Sequence, residues 1–309
     1  MIYTVTLNPS LDYLLTLDDL SIGSLNRSKS DHFLPGGKGI NVSQVLTSFG
    51  VPSNALGFTG GFTGQEVERL LQTAGITSDF ISVQGETRVN VKIRAVEETE
   101  VNAAGPKIDT YQFEKLKTQV RNLSSHDVLV LSGSIPASLP EDTYEQFARL
   151  CDDSGIRFVV DAEGASLLKT LPYRPFLIKP NHHELGEMVG TDISTLEDAV
   201  HHAKTLIQLG AQQVIVSLAG EGAVYVSESL SLIANAPKGT VRGSVGAGDS
   251  MVAGFLAALM HEESFENAFR KAIASGSATA FSDRLCTKEQ VEALLAQVVV
   301  TPLKGGNDL

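Results

Sequence analysis

One short stretch combines glycines with an acid in a pattern that can do chemistry: Gly243-Ser244-Val245-Gly246-Ala247-Gly248-Asp249-Ser250. Glycine lets the backbone turn tightly and lets its N–H groups converge without Cβ atoms in the way. The stretch follows an apolar, strand-like segment and opens a helix-like run over residues 250–261. A helix beginning at about Ala247 would aim unpaired N–H groups and the positive end of its dipole at one anion. Asp249 then stands in the first turn. A carboxylate beside a bound phosphate is repulsive, so its presence calls for a chemical reason. General-base removal of a proton from a hydroxyl attacking that phosphate supplies one. The alternative is an Asp kept near a helix N-terminus for dipole reasons alone.

Further polar residues fall at or just after the carboxyl ends of expected strands: Asp12, Ser132-Gly133-Ser134, Asp161, Lys179-Pro180-Asn181 and Ser217. A parallel sheet puts such ends on one edge, where they share a crevice. Asn181 and Glu184 stand three apart where a helix begins, so an amide and a carboxylate share one face. Hard oxygen ligands of this kind suit a hydrated Mg2+ shared with phosphates. A helix cap with an early Glu gives the same spacing. The adjacent pairs His182-His183 and His201-His202 lack the i, i+4 spacing of a metal site and read as surface histidines. Ser217-Leu218-Ala219-Gly220-Glu221-Gly222 is a glycine-bearing loop after a strand, suited to close approach by a nucleotide. Neither a dinucleotide fingerprint nor a P-loop occurs, which disfavours a dehydrogenase and a P-loop kinase. A Gly-x-Ser-x-Gly elbow is likewise missing, against an α/β hydrolase.

The elements that must position these groups follow from periodicity. In residues 88–96, Val89, Val91, Ile93 and Ala95 alternate with Arg88, Asn90, Lys92 and Arg94. One face of that strand is apolar and the other lines up three cations, either as a solvated face or as a seat for a phosphorylated ligand. An opening strand ends at Asn8-Pro9-Ser10, and residues 13–34 read as two short strands of a flap. The Pro35-Gly36-Gly37-Lys38-Gly39 turn starts a helix that Gly50 closes, and residues 57–64 form a second glycine-rich turn before another helix. Strands at 128–131, 158–160, 176–178, 214–216 and 223–226 alternate with helices at 111–122, 141–153, 196–209, 250–261, 265–281 and 288–298. That alternation predicts an α/β fold: a mainly parallel sheet covered on both sides. Residues 302–309 read as a frayed tail.

The bulk numbers narrow the class. With 309 residues and 42% hydrophobic content the chain can bury a large core. No linker divides it, so residues 1–309 are expected to form a single domain with a β lid from residues 11–34 and about 91–105. A formal net charge of −12 argues against nucleic acid and membrane surfaces as partners. An anionic substrate therefore needs a local basic pocket. Cys151 and Cys286 make neither a disulfide framework nor a metal knuckle. No signal peptide and no apolar run long enough for a membrane span appear, so a cytoplasmic location is expected.

Three separated segments then fit one family. Gly36-Gly37-Lys38-Gly39-Ile40-Asn41-Val42, Lys179-Pro180-Asn181-x-x-Glu184 and Gly246-Ala247-Gly248-Asp249 resemble signatures of the ribokinase-like, or phosphofructokinase B, sugar kinases. The likeness runs from Thr6-Leu7-Asn8-Pro9-Ser10-Leu11-Asp12 almost to the C-terminus. Thr87-Arg88-Val89-Asn90-Val91-Lys92 and Thr99-Glu100-Val101-Asn102 look most like the bacterial 1-phosphofructokinases, with tagatose-6-phosphate kinases as near relatives.

The resemblance implies a three-layer α/β sandwich with a β lid, pairing as a homodimer through the lids, and it implies ATP and Mg2+. By resemblance Asp249 is the base, and Gly246, Ala247 and Gly248 form the anion hole. Asp12, Gly37, Lys38 and Asn41 match sugar-contacting positions, while Arg88, Arg27, Lys92 and Asn102 would hold the phosphate already on the sugar. Ser217, Gly220 and Gly222 match the nucleotide loop, Lys179 lies near the phosphates, and Asn181 and Glu184 organise the metal through water. Many members carry Asp-Thr where this chain has Gly243-Ser244-Val245, and the Ser244 hydroxyl stands in for the Thr. The expected reaction is phosphorylation of fructose 1-phosphate to fructose 1,6-bisphosphate, with tagatose 6-phosphate as alternative acceptor. A catalytically silent sugar-phosphate sensor is the rival of another class.

Overall fold

The computed structural model describes residues 1–303. In chain order the strands are β1 (Ile2–Thr6), β2 (Ser10–Thr16), β3 (Ser30–Gly36), β4 (Ser53–Thr59), β5 (Thr77–Ser82), β6 (Arg88–Arg94) and β7 (Glu98–Val101). They continue with β8 (Val128–Ser132), β9 (Arg157–Asp161), β10 (Leu177–Ile178), β11 (Gln213–Ser217), β12 (Ala223–Ser227), β13 (Ser231–Ala234) and β14 (Val300–Pro302). The helices are α1 (Lys38–Ser48), α2 (Gly61–Thr73), α3 (Thr110–Arg121), α4 (Thr143–Ser154) and α5 (Gly164–Leu168). After them come α6 (His182–Val189), α7 (Leu196–Gln208), α8 (Ala247–Met260), α9 (Phe265–Ala280) and α10 (Lys288–Leu295).

Ten strands make one sheet in the order β14-β13-β12-β11-β10-β9-β8-β1-β4-β5. From β11 to β5 every neighbour is parallel, and β12, β13 and β14 extend the edge antiparallel. The apolar runs explain why helices cover both faces. In β8, Val128 and Val130 pack with α1, α8, α9 and α10, while Leu129 and Leu131 pack with α3, α4 and α7 on the other side. A strand buried on both faces reads as continuous apolar sequence, and this one does.

The second sheet is the lid, in the order β3-β2-β6-β7. Its register sets Asp12 opposite Asn90 and Leu14 opposite Lys92, so the polar residues of β6 face the large sheet's edge. The opposite face carries a row across all four strands, Phe33, Tyr13, Val91 and Val101 in direct register.

Three expectations change. No strand leads into the glycine-rich stretch: residues 235–246 are irregular between β13 and α8. Gly57 is not in a turn but inside β4, a strand whose interior glycine and lack of alternation hid it. Pro302 is not frayed, because Leu232 pairs with it at the sheet edge; residues 304–309 lie outside the described residues. The edge strands β5 and β14, and β13 beside β14, escape the sequence patterns because each is too short or too polar to sustain a period-2 signal.

Candidate active site

The carboxyl ends of β1, β8, β9, β10 and β11 open onto one cavity of about 1090 Å3, roofed by the lid. Asp12, Gly37, Lys38, Asn41, Arg88, Lys92, Asn102, Lys179, Asn181, Glu184, Ser217, Gly220, Gly222 and the 244–249 loop all line it. Residues some 230 positions apart are thus brought to one crevice, as a parallel sheet edge requires.

The helix α8 is apolar all round and buried, so its N-terminus is held rigidly at the crevice. Gly246 caps it in the left-handed conformation with φ 79°, and among the described residues no side chain caps the helix. The amide of Ala247 turns back to the Ser244 carbonyl at 3.1 Å. Among the described residues, those of Gly248 and Asp249 have no hydrogen-bond partner, which leaves donors for an anion. Ser250 Oγ donates to the Gly246 carbonyl at 2.8 Å and bonds Thr279 Oγ1 at 2.7 Å, fixing the loop from behind.

Asp249 is 4% exposed and accepts a 2.8 Å hydrogen bond from Asn41 Nδ2. Burial pushes its carboxyl up, and the neighbouring Asp161 adds to this, bringing it to about 7 against the pull of Asn41, Lys38 and Lys179. Asp161, the last residue of β9, is the acid whose role emerges only in the fold. It lies 3.3 Å from Lys179 Nζ and 3.8 Å from Lys38 Nζ. Burial opposes its charge, but Lys179 and then Lys38 outweigh that and hold the carboxyl below its ordinary range. Asp161 in turn raises Lys38. Its signal was an acid closing the wholly apolar run Phe158-Val159-Val160.

On the lid, Lys92 Nζ is 3.1 Å from Asp12 Oδ2, and Asn90 Nδ2 donates to Asp12 Oδ1 at 3.0 Å. Arg88 donates to the carbonyls of Asn8 and Ala103, both at 3.2 Å, which aims its guanidinium along the cavity wall. Burial lowers the Arg88 pKa from its ordinary value, with Asp12 opposing; a guanidinium keeps its charge regardless. Asn102 hydrogen-bonds Glu100 at the rim. Arg27 does not join them. It is exposed in the segment beyond Thr16, at the far end of the lid from the Ser10 and Gly36 end that meets the crevice. His182, read as a surface residue, is half-buried and lines the cavity with His183.

Asn181 and Glu184 form a reciprocal cap at the start of α6. Glu184 N donates to Asn181 Oδ1 at 2.9 Å, and Asn181 N donates to Glu184 Oε2 at 2.8 Å. The cap uses one carboxylate oxygen and leaves Oε1 outside it. Among the described residues no cluster of three or more His, Cys, Asp or Glu forms a metal cage. Hard oxygen donors without a cage fit a hydrated Mg2+ shared with phosphates, because that ion keeps several waters. Among the described residues no helix is long and apolar enough to cross a membrane.

Comparison with known proteins matches this geometry. The profile of the pfkB family carbohydrate kinases matches residues 5–290. A 1-phosphofructokinase of Bacillus subtilis (strain 168) is 50% identical over 303 residues, covering 98% of this chain and 100% of the relative. A tagatose-6-phosphate kinase of Staphylococcus epidermidis (strain RP62A) is 36% identical over 292 residues, covering 92% and 93%. The crystal structure of phosphofructokinase-2 from Escherichia coli in complex with fructose-6-phosphate superposes with a TM-score of 0.90 at 30% identity, covering 96% of this chain and 98% of that one. The protein is a phosphotransferase, and the chain belongs to the pfkB family of carbohydrate kinases.

Proposed function

We propose that the protein transfers the γ-phosphoryl group of ATP to the 6-hydroxyl of fructose 1-phosphate, giving fructose 1,6-bisphosphate. The observation that carries the reading is a buried acid, Asp249, beside free amides at a helix tip, in the same cavity as Arg88, Lys92 and Lys38. An unphosphorylated sugar has no use for those cations under the lid; a sugar phosphate does. The half-identical 1-phosphofructokinase relative favours fructose 1-phosphate over tagatose 6-phosphate.

The 6-hydroxyl of the acceptor gives its proton to Asp249 as its oxygen bonds to the γ-phosphorus, and the bond from that phosphorus to the β–γ bridging oxygen breaks. A carboxyl poised at about 7 is a competent base at neutral pH. The amides of Gly248 and Asp249 meet the charge on the transferring group, with Lys38 and Lys179 behind them. Ser217, Gly220 and Gly222 form the wall for the nucleotide. Mg2+, when bound, supplies charge neutralisation between phosphate oxygens, and Asn181 and Glu184 would hold its water shell. The lid excludes water and so limits ATP hydrolysis.

The same reading includes a homodimer. The row Phe33, Tyr13, Val91 and Val101 lies on the outer lid face, with Phe33 47% and Val101 60% exposed. Burying such a side chain is worth about 1.5–3 kcal/mol, so the row favours a matching apolar face on a second copy.

The test is a steady-state comparison of fructose 1-phosphate, tagatose 6-phosphate, fructose 6-phosphate and ribose with ATP and Mg2+. The highest kcat/KM is expected for fructose 1-phosphate. Equal turnover of ribose would remove the argument from the cationic lid.

A further inference from the structure

Of the three cations on β6, only two serve the cavity. Arg88 and Lys92 line it; Arg94, on the same strand face, does not. Arg94 instead borders an adjoining space of about 310 Å3 under the same lid face, which shares Asp12, Asn41 and Lys92 with the cavity and is also lined by Glu98, Gly243 and Asp283. Its Nη1 is 3.7 Å from Asp283 Oδ1, and its Nε is 3.8 Å from Glu98 Oε1. The other oxygen of Asp283 accepts a 2.7 Å hydrogen bond from Arg242 Nη1. One carboxylate therefore joins two segments far apart in sequence, the lid strand and the segment that runs into the anion loop.

That second segment is firmly placed. The amides of Arg242 and Gly243 both donate to the Ala280 carbonyl, at 2.8 and 3.3 Å. Glu98 of the lid comes close to this segment: a Cβ built at Gly243 would stand 3.5 Å from Glu98 Oε2. Without Asp283, Arg94 and Arg242 would lose the carboxylate they share and leave like charges on the two sides of the seam. The Arg94 contacts are also longer than hydrogen bonds, and among the described residues the buried Arg94 Nε has no hydrogen-bond partner. A lid movement of about 1 Å would convert them to charge-assisted bonds.

We propose that Asp283 is a positioning residue that latches the lid, through Arg94, to the segment leading into the anion loop, through Arg242. Sugar-phosphate binding on β6 and alignment of Gly246 to Asp249 then form one step. The latch rests on the kinase reading, and its failure is separable from it: wild-type enzyme must phosphorylate fructose 1-phosphate for that reading, whatever the variants do.

The experiment compares wild type, Asp283→Asn, Arg94→Gln, the double variant and Asp283→Glu, with fructose 1-phosphate as acceptor. The measured quantities are kcat, both KM values, ATP hydrolysis without sugar, and thermal midpoint. Asp283→Asn is expected to lower kcat/KM for the sugar phosphate about two- to fivefold, the upper end of what partly exposed ion pairs contribute. The KM for ATP and the midpoint stay at wild-type values, the share of ATP lost to water rises, and Asp283→Glu recovers most of the rate. The double variant is no worse than Asp283→Asn alone, because both break one linkage. Wild-type constants in Asp283→Asn, or strictly additive losses in the double variant, would overturn the latch. A rate loss that merely follows a lowered midpoint and that Arg94→Gln does not reproduce would overturn it too.

Discussion

Asn41 Nδ2 meets Asp249 Oδ2 at 2.8 Å, joining the first turn of α1 to the first turn of α8 across 208 residues. The amide fixes which carboxylate oxygen points away from it into the cavity, so the proposed base is held in one orientation. Asn41→Ala is expected to lower kcat by about ten- to a hundredfold, the scale of one hydrogen bond to a charged group, with the KM for ATP nearly unchanged. Steady-state kinetics decide it; a loss confined to KM would make Asn41 a sugar contact only.

Removing the proposed base is expected to be more severe. Asp249→Asn keeps the shape and the Asn41 contact but cannot accept the proton. A fall in kcat of ~10³-fold or more is expected, with ATP binding retained by calorimetry. Near-normal turnover would take Asp249 out of the mechanism.

The pH profile tests the electrostatics. Burial and Asp161 raise the Asp249 carboxyl to about 7, so below that pH the group is protonated and idle. The sign follows: kcat/KM rises with pH through about 7 and levels off above it. Asp161→Asn removes the like charge and releases Lys38 and Lys179 toward Asp249, so the limb moves to lower pH. The second ionisation of a phosphate monoester, at about 6, does not move with that substitution. An unmoved limb would assign it to the substrate.

Arg88 and Lys92 should act on binding rather than chemistry. Arg88→Ala is expected to raise the KM for fructose 1-phosphate about ten- to a hundredfold, since bonds between a guanidinium and a phosphate are charge-assisted. The KM for ATP is the control. An equal rise in both would point to general damage.

Gly246 tests the backbone. At φ 79° a side chain is strained, and a Cβ would also meet Leu285 Cδ2 at 2.6 Å. Gly246→Ala is expected to cost about 1–2 kcal/mol in urea unfolding, with a larger loss in kcat than in stability. A variant as stable and fast as wild type would mean the loop tolerates another conformation.

Most of the architecture was legible in sequence because buried parallel strands and amphipathic helices write their periods plainly, as in residues 128–131 and 196–209. The glycines before Asp249 and the alternation of Arg88, Asn90 and Lys92 marked out, for the same local reason, groups that the fold brings to one cavity. What stayed hidden is long-range. No spacing tells that Asp161 lies between Lys38 and Lys179; the three-residue spacing of Asn181 and Glu184 offers a cap or a metal site, and only the fold shows one pair both capping a helix and lining the cavity. Nor does spacing tell that Arg27 swings to the far end of the lid while Arg94 reaches Asp283. Local sequence fixes φ, ψ and side-chain period; which charges share a low-dielectric crevice, and therefore which acid becomes a base near neutral pH, is decided only when the sheet edge gathers them.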